Sequence, residues 1–122
     1  MKLLLDTHII LWALNDDPRL SATHRTALEG EATLIVSSVS IWEISIKRAL
    51  RKLSAPDTIV EVIRGAGCVP LAITWDHGDR AGQLPPHHSD PFDRLLIAQS
   101  QIEAMPMVTA DKMFQAYDID LI

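Results

Sequence analysis

Leu3-Leu4-Leu5 places three apolar side chains in succession, so a strand here has no polar face, and the run stops at Asp6. Strands apolar on both faces belong to parallel sheets covered by helices on each side. The rest of the chain fits that reading, because short apolar runs alternate with helical stretches. Residues 33–37, 68–73, 106–109 and 119–122 read as further strands, with Pro70 assigning 68–73 to a sheet edge. Helices are expected over 7–15, 21–29 (closed by Gly30), 38–50, from 56 to 65 or 67, 74–82, 90–103 and 111–116. Leu84-Pro85-Pro86-His87-His88-Ser89 reads as loop. Neither repeats nor linkers interrupt the pattern, so one α/β domain over 1–122 with a central parallel sheet is expected.

Acids recur at the ends of these elements. Asp6 ends the first strand, Glu43 lies in helix 38–50, Asp93 belongs to the first turn of helix 90–103, and Asp111 follows strand 106–109. The carboxyl edge of an α/β sheet is where such folds bind ligands. Acids gathered there repel one another unless a cation fills the site, and an all-oxygen donor set suits Mg²⁺, with Mn²⁺ able to substitute. Each acid also has a purely structural reading. Asp6 or Thr7 suits the N-cap of helix 7–15. Ser40-Ile41-Trp42-Glu43 matches a capping box. Asp90 suits an N-cap with Pro91 at the first helical position, which leaves Asp93 as the freer carboxylate. Asp111 suits a cap of the short helix behind it.

Other side chains carry weaker signals. His8, His24, His77, His87 and His88 show no compact metal-ligand spacing, and the His87-His88 pair reads as exposed loop. Arg94 is placed to pair with Asp93 or to hold a phosphate. Lys47, Arg48, Arg51 and Lys52 read as a solvated, dipole-compensating face, and they are also the one basic concentration able to guide nucleic acid. Trp12, Trp42 and Trp75 read as core or dimer contacts. The formal charge of −5 is not the footprint of a general nucleic-acid binder, although a metal in the acid cluster recovers charge locally. Cys68 is the single cysteine, so no internal disulfide forms. No apolar run approaches the ~20 residues that span a bilayer, and the N-terminus reads as a strand rather than a signal peptide. A cytoplasmic protein without membrane contact is expected.

With these residues in view, the chain resembles the PIN-domain nucleases, and within them the VapC-like toxins of bacterial toxin–antitoxin pairs. The resemblance lies in Leu4-Leu5-Asp6-Thr7-His8, in Val36-Ser37-Ser38-Val39-Ser40-Ile41-Trp42-Glu43-Ile44, in His88-Ser89-Asp90-Pro91-Phe92-Asp93-Arg94-Leu95-Leu96-Ile97-Ala98, and in Val108-Thr109-Ala110-Asp111. It implies a three-layer α/β/α fold, usually dimeric, with Asp6, Glu43, Asp93 and Asp111 as the acidic metal ligands and Thr7 and Thr109 as supporting hydroxyls. It also implies metal-dependent cleavage of RNA, silenced by a cognate antitoxin. Two alternatives come from other classes. A phospho-receiver signalling domain has similar length and an acidic Mg²⁺ pocket but needs an acceptor aspartate at the end of a middle strand. A non-catalytic binding module would use every one of these acids as a cap.

Overall fold

A computed structural model describes all 122 residues. Four strands, β1 (Lys2–Leu5), β2 (Thr33–Ser37), β3 (Val69–Leu71) and β4 (Met107–Val108), form one parallel sheet in the order β3-β2-β1-β4. Six helices surround it: α1 (Thr7–Leu14), α2 (Ala22–Glu29), α3 (Ser38–Ala49), α4 (Ile59–Gly65), α5 (Trp75–Gln83) and α6 (Pro91–Glu103). A 3-10 helix follows at Lys112–Ala116.

Adjacent strand residues point to opposite faces, and each face has its own core. Leu3 and Leu5 of β1, Val36 of β2 and Val108 of β4 pack with Ile9 and Ile10 of α1 and Ile59 and Ile63 of α4. Leu4, Ile35 and Met107 pack on the other side with Leu96 and Ile97 of α6 and with Phe114. α3 serves both cores, through Ile44 on the first and Val39 on the second. The result is helix, sheet, helix, as the apolar run at the N-terminus requires. Pro70 lies in β3, an edge strand, where its missing N–H costs no ladder bond.

Several boundaries differ from the sequence expectation. Thr7 is the first residue of α1 rather than its cap; Asp6 holds the N-cap position and makes no side-chain cap bond. Pro56 and Asp57 belong to a turn, so α4 starts only at Ile59. Gly30 ends α2 in extended backbone and not in the left-handed form. Residues 119–122 do not form a full strand. They run beside β4 with a bridge between Met107 and Leu121, the Met107 N–H donating to the Asp120 carbonyl and the Ile122 N–H to the Met107 carbonyl. β4 is two residues long, and this short edge gives the tail little to pair with.

α6 ends at Ala104, which takes a left-handed conformation (φ 52°, ψ 46°) with its N–H on the Ser100 carbonyl. That conformation costs an L residue roughly 1–2 kcal/mol, and glycine avoids the cost while losing some unfolded-state entropy. Ala104→Gly is expected to stabilise the fold by about 1 kcal/mol, seen as a rise of roughly 4 °C in melting temperature. A lower melting temperature would show that the turn is held by something other than backbone strain.

Candidate metal centre

The chain leaves β1 toward β2 on one side, and β4 joins β1 on the other. The crevice at the carboxyl ends of β1 and β4 is therefore the switch point where α/β sheets bind ligands. Asp6 closes β1 there. It is buried, and its Oδ2 accepts a hydrogen bond from the Thr109 hydroxyl at the end of β4, 2.8 Å away. Its Oδ1 is buried with no partner at all. Thr7, one residue on, donates its hydroxyl to Ser40 Oγ at 2.9 Å and ties the start of α1 to α3.

Glu43 is not part of a capping box. Ser37 caps α3, accepting from the Val39 N–H, so Ser40 lies inside the helix and has no cap role. That leaves the Glu43 carboxylate free to reach the crevice. It is as buried as Asp6; Oε2 accepts from the Lys47 ammonium one helical turn away, and Oε1 has no partner. Lys47 is therefore not part of a solvated face. Its hydrogen bond with Glu43, together with the charges of Glu43, Asp90 and Asp93, raises its pKa above the usual lysine value despite partial burial.

Asp90 and Asp93 divide as helix geometry requires. Asp90 caps α6, accepting from the Asp93 N–H at 3.1 Å, and Pro91 takes the first helical position. Asp93 directs its carboxylate into the crevice. Burial, reinforced by the charges of Asp6, Asp90, Glu43 and Asp111, pushes its pKa from 3.8 to about 8. Burial likewise raises Asp6, against the opposing hydrogen bond from Thr109 and the charge of His8, with Glu43 adding to the rise. Asp111 is a cap with one oxygen to spare. Its Oδ1 caps the 3-10 helix through the Met113 N–H at 2.9 Å, and its Oδ2 faces the site.

The structure adds a residue that sequence reasoning placed in exposed loop. His88 is nine-tenths buried, with Nε2 2.8 Å from Asp93 Oδ2 and 3.7 Å from Asp111 Oδ2. The 2.8 Å contact is not aligned as a hydrogen bond, which leaves Nε2 without a bonded partner. Nδ1 accepts from the Asp90 N–H at 3.3 Å, so in the neutral ring Nε2 carries the hydrogen. The signal for His88 was its place two residues before a helix cap, which fixes its ring against that helix start. Arg94 neither pairs with Asp93 nor waits for phosphate. Its guanidinium donates to the carbonyls of Ala81, Leu84, Pro85 and His88 at 2.8–3.1 Å and pins the 84–89 loop to α6. Among the other histidines, His77 closes the capping box of α5 with Thr74, and His24 bonds the Ile122 carbonyl.

Two buried carboxylate oxygens without donors, Asp6 Oδ1 and Glu43 Oε1, are costly unless something positive satisfies them. His88, Asp93 and Asp111 bring one ring nitrogen and two carboxylate oxygens within 4.8 Å of one another. These carboxylate oxygens, with one imidazole at their rim, fit a divalent metal ion.

A buried, acid-lined crevice at the switch point of a parallel α/β sheet defines a class of metal-site proteins. Residues 3–120 match the family model of the PIN domain, and the chain belongs to that family. It is 29% identical over 122 residues to the ribonuclease VapC22 of Mycobacterium tuberculosis, covering 93% of this chain and 90% of that protein. The fold is shared with VapBC2 from Rickettsia felis, solved bound to a DNA fragment from its promoter (TM-score 0.74, 18% identity, 100% of this chain and 98% of that one). It is also shared with M. tuberculosis VapC20, a toxin that cleaves the sarcin–ricin loop (TM-score 0.69, 14% identity, 96% and 95%).

The acids make stability depend on pH in a defined direction. Between about pH 4 and 8, Asp93 keeps its proton in the folded chain and loses it in the unfolded one. The unfolded state then binds fewer protons, so the metal-free protein loses stability as pH rises through that window. Asp93→Asn should flatten this dependence and melt higher than wild type at pH 7.5 in EDTA, by on the order of 1 kcal/mol. Saturating Mg²⁺ should reverse the order, since only the wild type gains the full binding energy. Thermal melts across pH, with and without metal, check both statements.

Proposed function

We propose that this protein is the endoribonuclease toxin of a toxin–antitoxin pair and hydrolyses RNA phosphodiester bonds at a Mg²⁺ site. Asp6, Glu43 and Asp93 hold the ion, with Asp111 bound directly or through water, and residues 1–122 act as one domain. The observation that carries this reading is the pair of donor-less buried oxygens on Asp6 and Glu43, in a chain that matches the PIN domain over residues 3–120. The two rival classes lose support on the same residues. A receiver domain needs an accessible acceptor aspartate at the end of a middle strand; of the two middle strands, β2 ends in Ser37, and Asp6 after β1 is buried with one oxygen held by Thr109. A module whose acids are all caps does not fit an Asp6 that makes no cap bond and a Glu43 in mid-helix.

A bound divalent cation supplies charge stabilisation at the phosphate and lowers the pKa of a water to make a nucleophile. The chain's own residues prepare for this. Thr109 holds one oxygen of Asp6 and so turns the other toward the site. The Thr7–Ser40 bond keeps α1 and α3 in register, which fixes Asp6 relative to Glu43. His88 lies against Asp93 and Asp111 and limits how far those carboxylates swing. Attack on the scissile phosphate with a 3′-hydroxyl leaving group gives a 5′-phosphate product. The structures that share the fold include VapBC from Salmonella typhimurium and a toxin–antitoxin complex from Klebsiella pneumoniae, which supports a cognate antitoxin as partner. A homodimer is the expected assembly of the free toxin. No helix is long and apolar enough to cross a membrane.

Incubation with total RNA tests the proposal. Cleavage is expected with Mg²⁺ or Mn²⁺ and none in EDTA, and full cleavage in excess chelator would overturn the metal mechanism. Asp90→Ala should lose a cap worth ~1 kcal/mol and keep most activity while folded. Asp93→Ala should lose turnover by at least two orders of magnitude, the scale of a lost metal-ion contribution of several kcal/mol, with a melting temperature in EDTA that is unchanged or raised. The opposite pattern would move the third ligand to Asp90.

A further inference from the structure

α3 ends in a turn that carries basic residues back toward the acids. Arg51 takes a left-handed conformation at φ 58°, the Arg51 N–H donates to the Arg48 carbonyl at 3.0 Å, and the Lys52 N–H donates to the Lys47 carbonyl at 2.8 Å. These two bonds reverse the chain at the helix end. Lys52 and the residues after it thereby form a wall facing α1, with a cavity of about 660 Å³ between them. Thr7 and Glu43 lie at its inner end, and His8, Trp12, Lys47 and Lys52 line the rest. The volume is in the range of about 300–1,000 Å³ that holds a ligand the size of a nucleotide.

The lining has the chemistry of a nucleic-acid strand's partner. His8 and Trp12 present neighbouring rings with centroids 5.9 Å apart, and the Arg19 guanidinium covers Trp12 at 5.1 Å. Arg19, Lys47 and Lys52 outnumber Asp17 and Glu43 here, in a chain whose overall charge is −5. Arg19 is already held by Asp17 at 2.7 Å, so Lys52 is the unpaired cation open to a ligand. Lys47 rests on Glu43 in the metal-free chain. Only Leu11, Trp12 and Leu53 of the twelve lining residues are apolar, which disfavours an amphipathic protein helix as occupant.

We propose that this cavity seats a nucleotide of single-stranded RNA beside the scissile phosphate, with its base against Trp12 and His8 and a backbone phosphate on Lys52. The proposal rests on the ribonuclease reading of the neighbouring metal centre. Stacking on an aromatic ring is worth about 1–3 kcal/mol per base and tolerates any sequence, so the subsite supplies affinity and strandedness rather than base identity.

Fluorescence anisotropy with a labelled random-sequence RNA decamer, in EDTA so that no metal-dependent cleavage intervenes, tests it. Trp12→Ala should weaken binding roughly fivefold or more, with Trp12→Phe close to wild type. Lys52→Ala should weaken it and lower the salt slope by roughly 0.7, with Lys52→Arg restoring both. Thermal melts establish that each variant is folded, and the exposed Lys52 keeps the test decisive if Trp12→Ala is not. Unchanged RNA affinity in Lys52→Ala and in the folded Trp12 variant overturns the subsite. Wild-type cleavage of total RNA in Mg²⁺ then shows that the ribonuclease reading stands without it. Unchanged RNA affinity with lost binding of the purified cognate antitoxin reassigns the cavity to a protein. A wild type that neither binds the decamer nor cleaves RNA overturns both readings.

Discussion

Like charges brought together where water is scarce raise one another's pKa, and the rest of this fold is organised around tolerating that cost. Asp6, Glu43, Asp93 and Asp111 come from a strand end, a helix interior, a helix first turn and a loop. Burial and mutual repulsion together keep Asp93 protonated up to about pH 8. The chain lowers the cost with neutral hydrogen bonds and one ammonium. Thr109 donates to Asp6, and Lys47 donates to Glu43. These leave Asp6 Oδ1 and Glu43 Oε1 unmatched. A site arranged so is poised for a divalent cation, since the repulsion that destabilises the free protein becomes binding energy once the ion is present.

Precision in the site depends on residues that never enter it. Arg94 spends its guanidinium on four backbone carbonyls of the 81–88 segment. Tyr117 adds to this, accepting from the His88 N–H and donating to the Pro85 carbonyl. A loop containing Pro85-Pro86 has few backbone N–H groups with which to fix itself, so these side chains supply the constraint. Through them His88 is carried to within 2.8 Å of Asp93. The ordering of the loop follows from hydrogen bonds present in this chain.

The two sides of the crevice differ in sign. Acids fill the end between β1 and β4, while Lys52, folded back by the turn that ends α3, lines the cavity beside α1 with Lys47. An acidic protein therefore presents a local basic surface at the edge of its own metal site. Whole-chain charge averages over this, which is why a net charge of −5 says little about the polymer the site takes.

Much of the architecture was legible from side-chain pattern alone. A run apolar on both faces, Leu3-Leu4-Leu5, demands helices above and below the sheet, and Leu4 packs on one core while Leu3 and Leu5 pack on the other. Asp90-Pro91 announced the start of α6, because a cap followed by proline is a local rule that needs no tertiary partner. Local rules also misled. Ser40 to Glu43 has the spacing of a capping box, but Ser37 starts the helix earlier, so the spacing carries no cap. The 119–122 segment has strand composition, yet strand identity depends on a neighbour to bond, and β4 offers only two residues. Tertiary structure alone decided that Lys47 rests on Glu43, that Arg94 serves the loop, and that His88 joins Asp93 and Asp111. Long polar side chains have several partners within reach of their backbone position. Which one they take is set by the packing that brings distant segments together, and that information lies in no local stretch of the sequence.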